Sequence, residues 1–247
     1  MYTDTEGIVL KQMKITGGRR MILLFSKKYG KISCGTSITE KGKGKAALAL
    51  RPFAYGRYEL NKTRSACHLN GGEVIKSHYQ LGEDIEKYMQ ASYVMELTEK
   101  LLPEEAPAQE LFLLLSDFLD MMDKRTKKYG TLVLAYLVKA LKYSGSMPEL
   151  SRCVLCGKED PLNFLSVEEG GLVCDSCKSA VDATQRLISI SEFGIVDILR
   201  YLLHNPLMSF ERLALDDAVS HRLMALLKAW MAYHLEISGL KSEEFIS

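Results

Sequence analysis

The chain has 247 residues, of which 47% are hydrophobic, and its mean hydropathy of −0.04 is ordinary for a globular protein. The net charge is only +1, and no stretch reaches the ~18 uncharged apolar residues that a membrane span needs. The amino terminus, MYTDTEGIVLKQ, has an early acid and no long apolar run, which is not typical of a secretory signal. We therefore expect a cytoplasmic protein, in which paired cysteines are metal ligands or redox groups rather than structural disulfides.

Charge is distributed unevenly along the chain. Residues 1–80 contain 15 Lys/Arg and 5 Asp/Glu, a balance of +10, whereas the remaining residues have a balance of −9. This asymmetry suggests a cationic module joined to an acidic one, with chance clustering of surface charge as the alternative. A cationic module most often meets nucleic acid, because each contact with a phosphate releases counterions.

The first 80 residues show mostly the period-two pattern of β-strands. EGIVLKQMKI is the first predicted strand, and RRMILLFSKKYGKISCGTS holds two more, joined by a hairpin turn at Lys27–Gly30. RPFAYGRYELNKT and HLNGGEVIKSH supply the fourth and fifth, and the Ala/Leu-rich end of KGKGKAALAL predicts a short helix before the fourth. Five strands with this helical insertion predict an OB-fold barrel over residues 1–80, with an SH3-like barrel as the competitor.

Basic and aromatic side chains are interleaved in this segment, as in grooves that bind a nucleic acid strand by phosphate contacts and base stacking. The alternatives are a solvated charged face and rings that pack in the barrel core. No base-reading motif is present, so we expect binding that is nearly blind to sequence. The candidate nucleic-acid contacts are Arg19, Arg20, Lys27, Lys28, Lys31, Lys41, Lys43, Lys45, Arg51, Tyr55 and Arg57.

From residue 81 to 247 the pattern changes to the 3.6-residue period of helices. One stripe contains Ile85, Met89, Tyr93 and Leu97, and the next predicted helix has a buried face at Leu111, Leu114, Leu115, Phe118 and Met122. TLVLAYLVKALKYSG is apolar on nearly all sides and predicts a central buried helix. SEFGIVDILRYLLH predicts a further helix, and the last begins at Asp216–Asp217 and closes at Gly239.

Four of the six cysteines lie within residues 150–180, a module that interrupts the helical domain. Cys153, Cys156, Cys174 and Cys177 have the spacing Cys-x2-Cys-x17-Cys-x2-Cys, which predicts one tetrahedral Zn²⁺ site. Because four protein ligands leave no position open for water, we expect the site to be structural. A redox dithiol is the alternative, but neither pair lies in a βαβ pattern. Cys34 and Cys67 are isolated, and we expect them to be packing residues.

The order of these parts resembles the family of the bacterial DNA repair protein RecO. The resemblance is carried by EGIVLKQ, LLFSKKYGKIS, RPFAYGRYEL and CVLCG…GLVCDSCK, and it runs from about residue 1 to residue 240. It implies a recombination mediator, not an enzyme, that binds single- and double-stranded DNA on the nucleoid. It also implies annealing of complementary strands and, together with RecR, loading of RecA onto strands covered by single-stranded-DNA-binding protein.

The resemblance also assigns roles to residues. The four cysteines take the zinc-ligand role, and the basic residues of the barrel take the DNA-contact role as a set. The helical domain is expected to receive the acidic tail of single-stranded-DNA-binding protein, with Arg200, Arg212, Arg222 and Lys228 as candidate contacts.

Other functions remain open on the sequence alone. The chain has no G-x-x-x-x-G-K-[ST] loop and no cluster typical of a two-metal nuclease, which favours a process independent of ATP. The competing functions are an RNA-binding or ribosome-associated barrel protein, a Cys-x-x-Cys thiol oxidoreductase and a zinc-dependent transcription regulator.

Overall fold

The computed structural model describes residues 1–15, 19–38, 44–159, 161–182, 184, 187–189 and 194–245. The chain divides into two compact units, Met1–Tyr129 and Gly130–Phe245. No helix within the described ranges has the length and apolarity needed to cross a bilayer. The predicted domain boundary at residue 80 stays a prediction, and the first compact unit extends past it.

The first unit begins with a closed barrel whose strand order is β1-β2-β3-β5-β4. All neighbours are antiparallel except β3 and β5, where Gly35 lies opposite His68 in a parallel pairing. A short helix, α1, lies between β3 and β4, as predicted, so this is the expected five-stranded OB-fold barrel. The bounds are β1 Tyr2–Lys14, β2 Arg20–Ser26, β3 Gly30–Thr36, α1 Lys45–Ala49, β4 Tyr55–Lys62 and β5 Cys67–Lys76.

The barrel interior is apolar, and the predicted turn between β2 and β3 is present. Tyr58 is fully buried among aliphatic side chains, and its hydroxyl donates to the carbonyl of Ala49 at 2.7 Å. In the turn, the Ser26 hydroxyl accepts hydrogen bonds from the Lys28 and Tyr29 amides. Gly30 then has φ +70°, and a Cβ there would lie 2.0 Å from the Ala106 carbonyl oxygen. Glycine is therefore required by both the turn and this close approach.

Two helices pack on the barrel within the same unit, α2 (Ile85–Leu101) and α3 (Gln109–Lys124). Phe112 of α3 meets Phe25 edge-on, with ring centroids 5.2 Å apart. The predicted buried face of α3 is confirmed at all five positions.

The predicted stripe of α2 is only partly correct. Tyr93 and Leu97 are buried, but Ile85 is 71% exposed. The buried face also includes polar residues, among them Lys87 and Gln90. Lys87, for example, donates to the Asp123 carbonyl at 3.0 Å. Hydropathy alone therefore misplaces this face.

Cys34 and Cys67 are not isolated: their sulfurs are bonded to each other. The prediction that they are separate packing residues is wrong, because β3 and β5 are neighbours in the barrel. Their separation of 33 positions along the chain conceals this proximity. The disulfide lies beside the Gly35–His68 pairing and ties the parallel seam of the barrel.

The second unit combines helices with a small sheet of order β7-β6-β8. The α4 helix is buried along most of its length, as predicted. The Asp216 carboxylate caps α6 by accepting a hydrogen bond from the Ala218 amide at 2.9 Å, and α6 ends at Leu235, four residues before the expected Gly239. The bounds are α4 Tyr129–Tyr143, β6 Leu162–Ser166, β7 Gly171–Cys174, β8 Leu187–Ser189, α5 Ile195–His204 and α6 Asp217–Leu235.

Candidate metal centre and nucleic-acid interface

The four predicted ligand cysteines come together in the second unit. The sulfurs of Cys153, Cys156, Cys174 and Cys177 all lie within 4.8 Å of one another, and the Cys156 and Cys174 sulfurs are 3.7 Å apart. A tetrahedral ion with Zn–S distances of about 2.3 Å places its sulfurs about 3.8 Å apart. The cluster therefore has the size and donor set to hold one metal ion.

Local backbone structure positions each pair of thiols. Cys153 and Cys156 lie in a tight turn after α4, closed by hydrogen bonds from the Cys153 amide to the Lys158 carbonyl and from the Gly157 amide to the Cys153 carbonyl. Gly157 has φ +76°, which explains a glycine directly after the first pair. Cys174 is the last residue of β7, and Cys177 lies in the 3₁₀ helix Asp175–Ala180.

Hydrogen bonds from neighbouring groups shift the pKa values of two of the thiols in opposite directions. Burial alone raises the pKa of Cys153, but hydrogen bonds from the amides of Cys174, Cys156 and Leu155 outweigh it and lower that pKa to about 6. Hydrogen bonding with Cys156 and Cys174 raises the pKa of Cys177 to about 12. A divalent cation held by the four sulfurs would stabilise their thiolate forms, because metal binding requires deprotonated cysteines.

The segment that carries the thiols is anchored by main-chain contacts within its unit. Between the two cysteine pairs, β6 and β7 form a hairpin on either side of residues 167–170. The amide of Leu172 donates to the Glu149 carbonyl at 2.9 Å, and Gly171 approaches so closely that a Cβ would lie 2.4 Å from the same oxygen. On the neighbouring loop, the Arg200 guanidinium donates to the Leu150 carbonyl at 2.6 Å. These contacts fix where the hairpin emerges.

Part of the charge asymmetry is neutralised inside the first unit. Four barrel lysines form ion pairs with acids from α2, α3 and the segment between them. Lys31 illustrates the arrangement: its ammonium donates to the Glu99 carbonyl at 2.9 Å and lies 3.0 Å from Glu104, with only 12% of its side chain exposed. Sequence reasoning missed this pairing, although the excess of acids directly after the barrel was a signal. The pairs are Lys11–Glu99, Lys31–Glu104, Lys62–Glu105 and Lys76–Asp120.

Three of the predicted nucleic-acid contacts surround Glu6 of β1. The Tyr55 hydroxyl donates to its carboxylate at 2.8 Å, and the Lys27 ammonium lies at 3.2 Å. Arg57 lies opposite Glu6 in the β1–β4 register. The hydrogen bond from Tyr55, followed by that from Lys27, holds the pKa of Glu6 below its usual value. Burial and then Glu6 itself raise the pKa of Tyr55 to about 12.

The other candidates differ in exposure. Arg19, Lys28 and Arg51 are exposed, whereas Arg20 is only 6% exposed and its guanidinium donates to the Ile38 carbonyl. Lys41 and Lys43 lie outside the described residues. Lys45 is the first residue of α1, and its side chain also lies outside that part of the structure.

The candidate partner contacts in the second unit also differ. Arg200 supports the Leu150 carbonyl, and Lys228 forms an ion pair with Glu243 at 3.1 Å. Arg212 and Arg222 are exposed. Their role in binding a partner stays a prediction.

Taken together, the fold and site define an OB-barrel protein with a second, helix-containing unit, in which four thiols form a cluster of the size needed to hold one metal ion. Family models described as Recombination protein O N terminal and Recombination protein O C terminal match residues 1–78 and 82–244. The chain therefore belongs to the recombination protein O (RecO) family, as its sequence motifs indicated.

Curated relatives match over nearly the whole chain. The DNA repair protein RecO of Alkaliphilus metalliredigens is 30% identical over 99% of this chain and 98% of its own length. The proteins of the same name from Thermoanaerobacter sp. and Myxococcus xanthus are 28% and 29% identical, over 98% and 99% of this chain and 96% of each of their own lengths. Family membership assigns the chain a role in DNA repair and recombination, among recombination mediators.

Proposed function

We propose that the chain binds single- and double-stranded DNA without reading its sequence and anneals complementary strands. Together with RecR, it helps to load RecA onto single strands covered by single-stranded-DNA-binding protein, on the nucleoid in the cytoplasm. The observation that carries the proposal is the match to both halves of the RecO family over nearly the full chain. The mediator acts by binding and positioning strands, not by catalysing a reaction.

DNA binding is assigned to barrel cations that the protein does not neutralise itself. Among the described residues, Arg51 and Arg57 are exposed and have no carboxylate at ion-pair distance. Such side chains can exchange counterions for phosphates at little desolvation cost. Lys31, by contrast, is already held by α2, so we assign it to the fold rather than to DNA.

The four thiols are assigned to one structural Zn²⁺. The sulfur spacing and the all-cysteine donor set favour Zn²⁺ over harder cations. When bound, the ion supplies no open coordination position and therefore holds the hairpin without taking part in a reaction. Metal analysis of the purified protein should give one zinc per chain.

A strand-annealing assay tests the central proposal. Complementary strands coated with single-stranded-DNA-binding protein should anneal faster with the wild-type chain, in the absence of ATP. Arg51→Gln combined with Arg57→Gln should slow annealing, because two phosphate contacts are lost. The matched control is Lys76→Gln, which removes an exposed cation that Asp120 already neutralises.

The outcomes separate this proposal from its competitors. A wild-type chain that fails to accelerate annealing contradicts the mediator function. A strong preference for single-stranded RNA over DNA of the same sequence, at one salt concentration, would favour the RNA-binding alternative.

A further inference from the structure

A cavity of about 700 Å³ opens in the first unit beside the barrel, within the range of roughly 300–1,000 Å³ that is typical of small-molecule sites. We call it the tyrosine pocket. It is formed where β1, α1, the loop before β4 and the amino-terminal part of α2 meet. The lining residues that matter here are Gln12, Leu48, Arg51, Phe53, Tyr79 and Tyr88.

Two aromatic side chains in the tyrosine pocket are exposed to solvent. Tyr79 is 63% exposed and Tyr88 is 42% exposed. Tyr88 is oriented by Phe53, whose ring meets it edge-on with centroids 5.5 Å apart. An exposed ring held at one orientation is suited to stacking against another flat ring.

Polar groups accompany the rings. Arg51 is exposed, and within the described part of the chain no acidic side chain pairs with it. The amide nitrogen of Gln12 donates only a long hydrogen bond, 3.4 Å, to the Leu50 carbonyl. Arg20 and Glu83 also line the pocket, and their opposite charges cancel. The charge of Arg51 therefore makes the net charge of the pocket positive.

The backbone around the pocket is strained at two points. Phe53 and His78 both line the cavity, and they have φ values of 71° and 48° although neither is glycine. Left-handed conformations of such residues cost energy and tend to be retained at functional sites. Here one of them places the ring that orients Tyr88.

We infer that the tyrosine pocket takes up one unpaired base of single-stranded DNA. The base stacks on the exposed tyrosines, its phosphate binds Arg51, and the Gln12 amide can meet the base edge. This deepens the proposed function and rests on it. A base fits better than an acidic peptide, because flat rings and a side-chain amide recognise a base, whereas the pocket offers a peptide carboxylate only one unopposed cation.

The test compares two probes of equal length and charge: a 20-nucleotide single strand and the same strand built entirely from abasic sites. Affinity is measured at one salt concentration by fluorescence anisotropy. The wild type should bind the strand with bases about tenfold more tightly, since stacking contributes per base. Tyr79→Ala combined with Tyr88→Ala should remove most of this preference and leave binding of the abasic strand unchanged.

Controls keep the test specific. Tyr2→Ala removes an even more exposed tyrosine, 79%, from the same unit but outside the pocket, and it should keep the full preference. If Tyr88→Ala lowers the melting temperature, Tyr79→Ala alone serves, because its ring is the more exposed. Arg51→Gln should weaken both probes and reduce the salt dependence of binding.

Three results would overturn the inference. One is an unchanged preference for bases in the double tyrosine variant, and a second is a wild type that binds both probes equally. The third is displacement of the strand's bases from the pocket by an acidic aromatic peptide with higher affinity than DNA. A wild type that binds neither probe at low salt would instead contradict the proposed function itself.

Discussion

Each of the two compact units contains cysteines whose sulfur atoms lie close together, but we expect the disulfide and the four-thiol cluster to stabilise their units in different ways. In the first, the Cys34–Cys67 disulfide joins strands of a closed barrel that already has a continuous apolar core. In the second, four thiols gather around a sheet whose strands have five, four and three residues. We expect so small a sheet to bury too little apolar surface to be stable alone. We therefore expect the disulfide to add stability to a barrel that folds without it, and we propose that a metal ion held by the four thiols is required for the fold of the segment around the small sheet.

The largest effect should follow from Cys174→Ser. Losing a ligand from a structural metal site is among the few single changes that cost about 4 kcal/mol, or roughly 8 to 16 °C in melting temperature for a chain of this size. We expect the purified variant to contain little zinc and to melt early. Hydrogen exchange should rise across the hairpin β6–β7 and remain low in the barrel.

The adjacent variant Ser176→Ala is the control, since Ser176 is exposed and lies between the two cysteines of the second pair. It should keep the metal and the wild-type melting temperature. If Cys174→Ser melted at the same temperature as the wild type, the proposal that the four-thiol cluster is more important for folding than the disulfide would be contradicted.

A smaller effect is expected from Cys67→Ser. Opening a disulfide that joins residues 33 positions apart costs at most about 3.7 kcal/mol in chain entropy, but the core of the barrel remains. The variant should fold, with lower stability in the first unit only. Wild type treated with a reductant should show the same loss, and reductant should not affect the variant further. Unfolding of the barrel on reduction would show that the disulfide, too, is indispensable.

Ion pairs between barrel lysines and acids of α2, α3 and the segment between them are a third stabilising contribution in the first unit. Lys31→Gln removes a nearly buried ammonium that bonds to the Glu99 carbonyl and pairs with the exposed Glu104. We expect a loss of about 1 kcal/mol, because the acid partner is solvated and only the hydrogen bond is shielded. Lys28→Gln, at an exposed position in the turn, should cost less than ~0.5 kcal/mol. If Lys31→Gln and Lys28→Gln lost the same free energy of unfolding, the contacts of Lys31 with Glu99 and Glu104 would not stabilise the first unit.

Features determined by local pattern were predictable from the sequence. Alternation and turn residues identified the five strands, and the Cys-x2-Cys spacing identified a cluster that the structure confirms. Features created by distant contacts were not. The bond between Cys34 and Cys67 depends on which strands become neighbours, and the burial of Arg20 depends on the Ile38 carbonyl. The sequence suggested that the basic residues of the barrel form one DNA-binding surface, but four barrel lysines form ion pairs with acids from the segment that follows the barrel in the chain.

The smallest effect on stability, and the sharpest test of how the charges divide, should come from Arg57→Gln. Its guanidinium is exposed and acts on Glu6 only through space, so the melting temperature should change by less than ~2 °C. If Arg57 contacts a phosphate, the slope of log affinity against log salt should fall by about one. Lys31→Gln should do the reverse, with lower stability and an unchanged slope. If the slope of log affinity against log salt falls in both Arg57→Gln and Lys31→Gln, then Lys31 also contacts DNA. That result would contradict the proposed division between cations that pair with the helices and cations that bind DNA.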